Sequence, residues 1–246
     1  MKPAAWPYPR WIAHRGAGTL APENTLAAFR LGAAHGYRMF ECDVKLSQDG
    51  VPFLMHDASL RRTTNGSGIG GDTSWHDLSQ LDAGSWHSRG FAGEALPSLD
   101  NIAGYCLRNR HHLNIEIKPS PGTERRTGDV VARRAAALWR TAEIPPLLTS
   151  FDVDALEGAQ DAAPELPRGL LLDKPSADWL DIARRLQCVA VVCHYALWDT
   201  STVAAAQASG LRCLSYTVND EWVAERLITL GTDSIITDRV DLFSPV

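Results

Sequence analysis

The chain has 246 residues, 45% of them hydrophobic, and a formal net charge of −5. That length suits one large core in a single barrel-sized domain spanning residues 1–246. The mild acidity argues against nucleic acid or an anionic membrane surface as a partner, since both demand a basic face, and it leaves room for a small anionic substrate met by a local cation site.

The first ten residues, Met1 to Arg10, have no apolar stretch of the kind a secretory signal needs, and no run in the chain approaches the roughly 20 apolar residues of a membrane span. Cys42, Cys106, Cys188, Cys193 and Cys213 are scattered, without a C-x-x-C pair. Buried free thiols in a reducing compartment follow as the expectation, and with them a cytoplasmic location without stable membrane insertion.

Short apolar runs recur at residues 11–14, 38–46, 113–118, 147–151, 169–172, 189–194, 212–218 and 234–237, which predicts eight strands. Between most of them lie helical patterns at 23–35, 99–108, 128–142, 152–163, 176–186, 200–208 and 220–230, rich in Ala, Leu, Arg and Glu. Pro22 reads as the entry to the first helix with Glu23 and Asn24 capping it, Asp220 as an N-cap, and Gly210 and Gly231 as C-terminal stops. Regular strand–helix alternation implies parallel βαβ units. One region breaks it: Ser47-Gln48-Asp49-Gly50 turns the chain back through residues 51–55 to His56, and residues 57–97, with seven glycines, read as an inserted segment after the second strand. Within it, Trp75, Trp86 and Phe91 either line a substrate mouth or pin the insert to the barrel.

In a parallel barrel the strand C-termini build the active face, so the residues ending each strand carry the functional information. The first strand ends in His14-Arg15. In the second, a period of two places Glu41 and Asp43 on one face and Phe40, Cys42 and Val44 on the other. In the third, Asn114, Glu116 and Lys118 alternate with Leu113, Ile115 and Ile117. Three carboxylates crowded at one spot repel unless a cation sits among them, and oxygen donors suit a hard divalent ion, Mg²⁺ or Ca²⁺. Arg15 and Lys118 are suited to hold phosphate, and His14 and His56 to move protons near neutral pH, with the acid and base roles open between them. His194 closes the sixth strand without an assigned role; His35, His76, His87, His111 and His112 read as solvated.

Seven ordered motifs are therefore present: His14-Arg15-Gly16, Pro22-Glu23-Asn24-Thr25, Glu41-x-Asp43, Asp49-Gly50-x-Pro52 leading to His56-Asp57, Leu60-x-Arg62-Thr63-Thr64-x-Gly66, Asn114-Ile115-Glu116-Ile117-Lys118 and Tyr216-Thr217-Val218-Asn219. Together the chain resembles the glycerophosphodiester phosphodiesterase family, and most closely its cytoplasmic bacterial branch. The resemblance implies a (β/α)₈ TIM barrel in which Glu41, Asp43 and Glu116 ligate one divalent cation, His14 and His56 form the acid–base pair, and Arg15 and Lys118 hold phosphate. It also implies hydrolysis of glycerophosphodiesters such as glycerophosphocholine and glycerophosphoethanolamine to sn-glycerol 3-phosphate and an alcohol, with the inserted segment capping the substrate. Tyr216 stands where many relatives carry tryptophan and would offer an apolar wall to glycerol.

Two rival readings exist. A lysophospholipase D-type enzyme would need an apolar rim that Trp75, Trp86 and Phe91 are too few to build. A non-catalytic glycerophosphodiester-binding barrel would have lost an acid–base histidine, and both are present. The preferred headgroup, the choice between Mg²⁺ and Ca²⁺, direct water attack against a cyclic phosphate, and a homodimer against a monomer are left open.

Overall fold

A computed structural model of the chain describes residues 6–174, 176–243 and 245. The apolar runs form β1 Trp11–Ala13, β2 Met39–Leu46, β4 His112–Ile117, β5 Leu147–Ser150, β6 Arg168–Leu172, β7 Ala190–His194, β8 Arg212–Tyr216 and β9 Ser234–Thr237, with an additional β3 at Pro52–Leu54. The helices are α1 Leu26–Ala34, α2 Trp75–Leu78, α3 Leu99–Asn109, α4 Glu124–Leu138, α5 Val153–Ala162, α6 Trp179–Arg185, α7 Thr200–Ala208 and α8 Glu221–Leu230. β1 pairs in parallel with β9 and, at Ala13 opposite Phe40, with β2, which closes the sheet into a (β/α)₈ barrel. β1 leaves the last residues of β2 free, and there Val44, Lys45 and Leu46 pair with the antiparallel β3.

The period of two sorts the strand residues into layers. Phe40, Cys42, Val44, Leu113, Ile115 and Ile117 face outward and pack with Phe29, Ile102, Val131 and Ala155 beneath the helices. Each large apolar side chain buried in this way stabilises the fold by about 1.5–3 kcal/mol. A second cluster, containing Ile12, Met39, Leu147, Leu171, Val192, Leu214 and Ile236, packs with Tyr8 from the N-terminal segment. Nearer the strand C-termini, β2 and β4 change character: the parallel register sets Glu41 beside Asn114 and Asp43 beside Glu116. On the outer layer, α4 and α5 approach so closely that a Cβ at Gly128 would lie 1.9 Å from the Ala155 carbonyl oxygen, and one at Gly158 2.1 Å from that of Arg125.

Several local expectations need correcting. α1 begins at Leu26, and its N-cap is Thr25, whose side chain accepts from the Ala28 amide. Asn24 has φ of 59°, a left-handed conformation that cannot continue a helix, so Pro22, Glu23 and Asn24 form a turn and their side chains serve elsewhere. Asp220 does occupy the N-cap of α8, although its side chain accepts no capping hydrogen bond, and Gly231 ends that helix in the left-handed region at φ 87° as expected. His111 is buried, with its ring against Phe40 and Tyr105, because the left-handed Arg110 that ends α3 turns it inward.

Residues between β3 and α3 hold α2, two 3₁₀ turns and a small core of their own, in which Trp75 packs on the cluster of Phe53, Met55, Leu60, Leu78, Ala83 and Leu96. Phe91 packs against the main core, and Trp86 is partly exposed, with its indole N–H donating to the Ala83 carbonyl. Trp75 and Phe91 therefore fasten the segment to the barrel. All five cysteines are buried free thiols. Among the described residues, no helix is long and apolar enough to cross a membrane.

Candidate active site

A cavity of about 160 Å³ is lined by His14, Arg15, Glu41, His56, Asn114, Glu116, Lys118, Phe151 and Tyr216, among others, at the C-terminal ends of the strands. Glu41 and Asp43 arrive from β2, Glu116 from β4, and one carboxylate oxygen of each lies within 4.8 Å of the others. Glu41 Oε2 accepts from the Arg15 amide, while Glu41 Oε1 is buried without a partner. Asp43 is locked by a reciprocal pair with Asn24, whose Nδ2 donates to Oδ2 at 2.8 Å and whose Oδ1 accepts from the Asp43 amide at 3.1 Å. Three carboxylates thus face two cations: Arg15 Nε lies 3.3 Å from Asp43 Oδ2, and Lys118 Nζ lies 3.3 Å from Asp43 Oδ1 and 2.6 Å from Glu116 Oε1.

Proton affinities follow from this crowding. Burial and the charge of Asp43 push Glu41 up to about 8. Burial and the same charge raise Glu116 against the pull of Lys118. Burial also acts on Asp43, but Arg15 and Lys118 outweigh it and hold that carboxylate below the ordinary range. An all-oxygen donor set with an orphaned buried oxygen and two carboxylates of raised proton affinity fits a hard divalent cation.

The two histidines are each held through Nδ1. His14 Nδ1 lies 2.6 Å from Asp238 Oδ1, and its Nε2 lies 3.8 Å from Glu41 Oε2. Burial lowers its proton affinity, yet Asp238 and Glu41 prevail and raise it. Asn219 fixes Asp238 in turn, donating from Nδ2 to Oδ2 at 3.0 Å and accepting the Asp238 amide at 2.9 Å. His56 Nδ1 lies 2.7 Å from Asp57 Oδ1. Burial, with Arg15 and Lys118, lowers the proton affinity of His56 despite Asp43 and Asp57. Beside an ionised carboxylate the proton of each neutral imidazole belongs on Nδ1, which leaves Nε2 as the exchanging nitrogen.

Tyr216 donates its hydroxyl to the Leu172 carbonyl at 3.0 Å, so its ring stands edge-on to Phe151 at 5.7 Å and to His194 at 6.0 Å. Lys118 Nζ lies 5.9 Å from the Phe151 ring centroid. The structure thus brings together all eight side chains singled out in the sequence: His14, Arg15, Glu41, Asp43, His56, Glu116, Lys118 and Tyr216. Sequence reasoning missed Asp238, Phe151 as a lining residue, and the separate duties of Glu23 and Asn24. Asp238 immediately follows the last barrel strand, and a polar residue at that point of a closing strand is the signal that would have found it.

A closed parallel barrel carrying polar and charged side chains at the C-terminal ends of its strands has the arrangement of a barrel enzyme. Residues 14–242 match the model of the glycerophosphoryl diester phosphodiesterase family. A glycerophosphodiester phosphodiesterase of Caldanaerobacter subterraneus subsp. tengcongensis is 31% identical over 231 residues, covering 92% of this chain and 93% of that protein. Among solved structures, an Oleispira antarctica phosphodiesterase in complex with the product sn-glycerol-3-phosphate superposes with a TM-score of 0.87 at 34% identity, over 94% of this chain and 93% of that one. A glycerophosphodiester phosphodiesterase of Agrobacterium tumefaciens superposes with a TM-score of 0.78 at 30% identity, over 97% of this chain and all of that one. The chain belongs to the glycerophosphoryl diester phosphodiesterase family and is a phosphoric diester hydrolase.

Proposed function

We propose that this pocket hydrolyses glycerophosphodiesters, such as glycerophosphocholine and glycerophosphoethanolamine, to sn-glycerol 3-phosphate and the free alcohol, with one divalent cation, Mg²⁺ or Ca²⁺, held by Glu41, Asp43 and Glu116. The observation that carries this reading is the buried carboxylate triad, with Glu41 Oε1 left unpartnered, in a cavity shared by two carboxylate-held imidazoles. The product held by the Oleispira relative supports the choice of substrate class.

When bound, the cation would neutralise phosphate oxygens and the charge that builds up at phosphorus. Arg15 and Lys118 hold and orient the phosphate from the two sides of Asp43, the first with a fork of donors and the second as a point charge. One imidazole takes a proton from the attacking oxygen at its Nε2, and the other gives a proton to the departing alkoxide. Tyr216 and Phe151 supply an apolar wall on the Lys118 side of the cavity. The buried free thiols favour the cytoplasm as the place of work.

The test is to identify products from glycerophosphocholine. The reading expects sn-glycerol 3-phosphate and choline, and loss of both with His14→Ala or His56→Ala. Release of phosphocholine and glycerol instead would overturn it.

A further inference from the structure

Arg62 lies in the segment between β3 and α3, yet its guanidinium makes four hydrogen bonds to two carboxylates that each hold a different part of the site. Nε and Nη2 donate to Asp57 Oδ2 and Oδ1 at 2.6 and 3.0 Å. Nη1 and Nη2 donate to Glu23 Oε2 and Oε1 at 2.7 and 2.8 Å. Asp57 is the carboxylate on His56 Nδ1, and Glu23 Oε1 also accepts from Arg15 Nη1 at 2.9 Å. The backbone on either side of Arg62 is anchored: Leu60 is buried in the small core of the segment, its amide donates to the Gly68 carbonyl, and its own carbonyl accepts both the amide and the hydroxyl of Thr64.

We propose that Arg62 is a positioning residue that orients His56 and Arg15 together, so that the packing of the inserted segment sets the proton-transfer geometry through Asp57 and the phosphate-holding geometry through Glu23. A planar guanidinium can present parallel N–H pairs to two carboxylates at once, whereas an ammonium is a single point with rotating donors. Arg62 is substantially exposed, so these ion pairs are screened and add little to stability. Their consequence is alignment.

The kinetic arm of the test rests on the proton-transfer role given to His56 above, and the spectroscopic arm does not. Histidine-labelled full-length protein, with the His56 signals assigned through His56→Asn, reports the imidazole tautomer by long-range ¹H–¹⁵N correlation. In the wild type, His56 should be a single Nδ1–H tautomer. Arg62→Ala and Arg62→Lys should both give averaged tautomers and a loss in kcat on glycerophosphocholine of roughly 10- to 100-fold, with the melting temperature nearly unchanged. Glu23→Gln loosens Arg15 and one side of Arg62 but leaves both Arg62 bonds to Asp57, so it should raise KM while the His56 tautomer stays closer to wild type than in Arg62→Ala. Wild-type tautomer and kcat in Arg62→Lys would overturn the proposal, since charge alone would then suffice, and so would an unaltered His56 signal in Arg62→Ala. A wild type without turnover whose His56 tautomer still responds to Arg62→Ala would overturn the hydrolysis reading and support the positioning one.

Discussion

His14 Nδ1 lies 2.6 Å from Asp238 Oδ1 although 224 positions separate the two residues, and the barrel closure of β9 on β1 brings them together. Asp238→Asn can keep a hydrogen bond to the ring but no longer favours the Nδ1–H tautomer or a protonated imidazole. The expected outcome is a fall in kcat of roughly 10²–10⁴-fold with little change in melting temperature. Asp238 raises the proton affinity of His14, so its loss moves the limb of the pH–rate profile set by His14 to lower pH. Steady-state kinetics across pH check both.

Glu41 gives a second prediction because its folded-state proton affinity, raised to about 8, lies above its ordinary value of 4.5. In the metal-free protein the ionised form is therefore unfavourable, and stability falls as pH rises from about 4.5 towards 8. Glu41→Gln should raise metal-free stability by about 1 kcal/mol, or roughly 2–4 °C for a chain this long, while turnover falls to background. Thermal unfolding in EDTA at pH 5 and pH 9 checks the sign: the gain should be larger at pH 9.

The same carboxylate links metal binding to protons. Crowding raises the proton affinities of Glu41 and Glu116, so a divalent ion has to displace protons there and apparent affinity should rise with pH until both carboxylates are ionised. Calorimetry in two buffers of different ionisation enthalpy should show net proton release on metal binding near neutral pH. Heats that do not depend on the buffer would contradict this.

Gly18 ties the first loop to the end of the barrel. It has φ of +58°, and a Cβ there would lie 2.0 Å from the Asp238 carbonyl oxygen. Gly18→Ala must shift either the turn at residues 18–20 or the Asp238 backbone that carries the His14 partner, so it should cost about 1–3 kcal/mol of stability and reduce kcat in the protein that remains folded. Chemical denaturation and active-site-normalised kinetics separate the two effects.

Much of this architecture is legible in local pattern. The alternation in β2 and β4 reports its own inward face, so Glu41, Asp43 and Glu116 can be assembled from period and parallel register alone. Contacts set by closure are not. The place of Asp238 just after the closing strand marks it as a candidate for the active face but does not name His14 as its partner, and His111 looks like a loop residue until Phe40 and Tyr105 are seen to enclose it. Pro22, Glu23 and Asn24 mimic a helix entry, yet the left-handed Asn24 redirects Glu23 to Arg15 and Arg62, and Asn24 itself to Asp43. Trp75 is equally suited by type to a substrate mouth or a packing contact, and only its place on the Phe53 cluster decides between them.

Following sn-glycerol 3-phosphate release from glycerophosphocholine by ³¹P NMR, with metal-stripped wild type and Asp43→Asn side by side, tests the carboxylate triad most directly. Stripped wild type should be inactive and recover on adding Mg²⁺ or Ca²⁺, while Asp43→Asn should stay inactive with either ion. Turnover by the stripped enzyme in excess EDTA, or full activity in Asp43→Asn, would contradict a cation held by Glu41, Asp43 and Glu116.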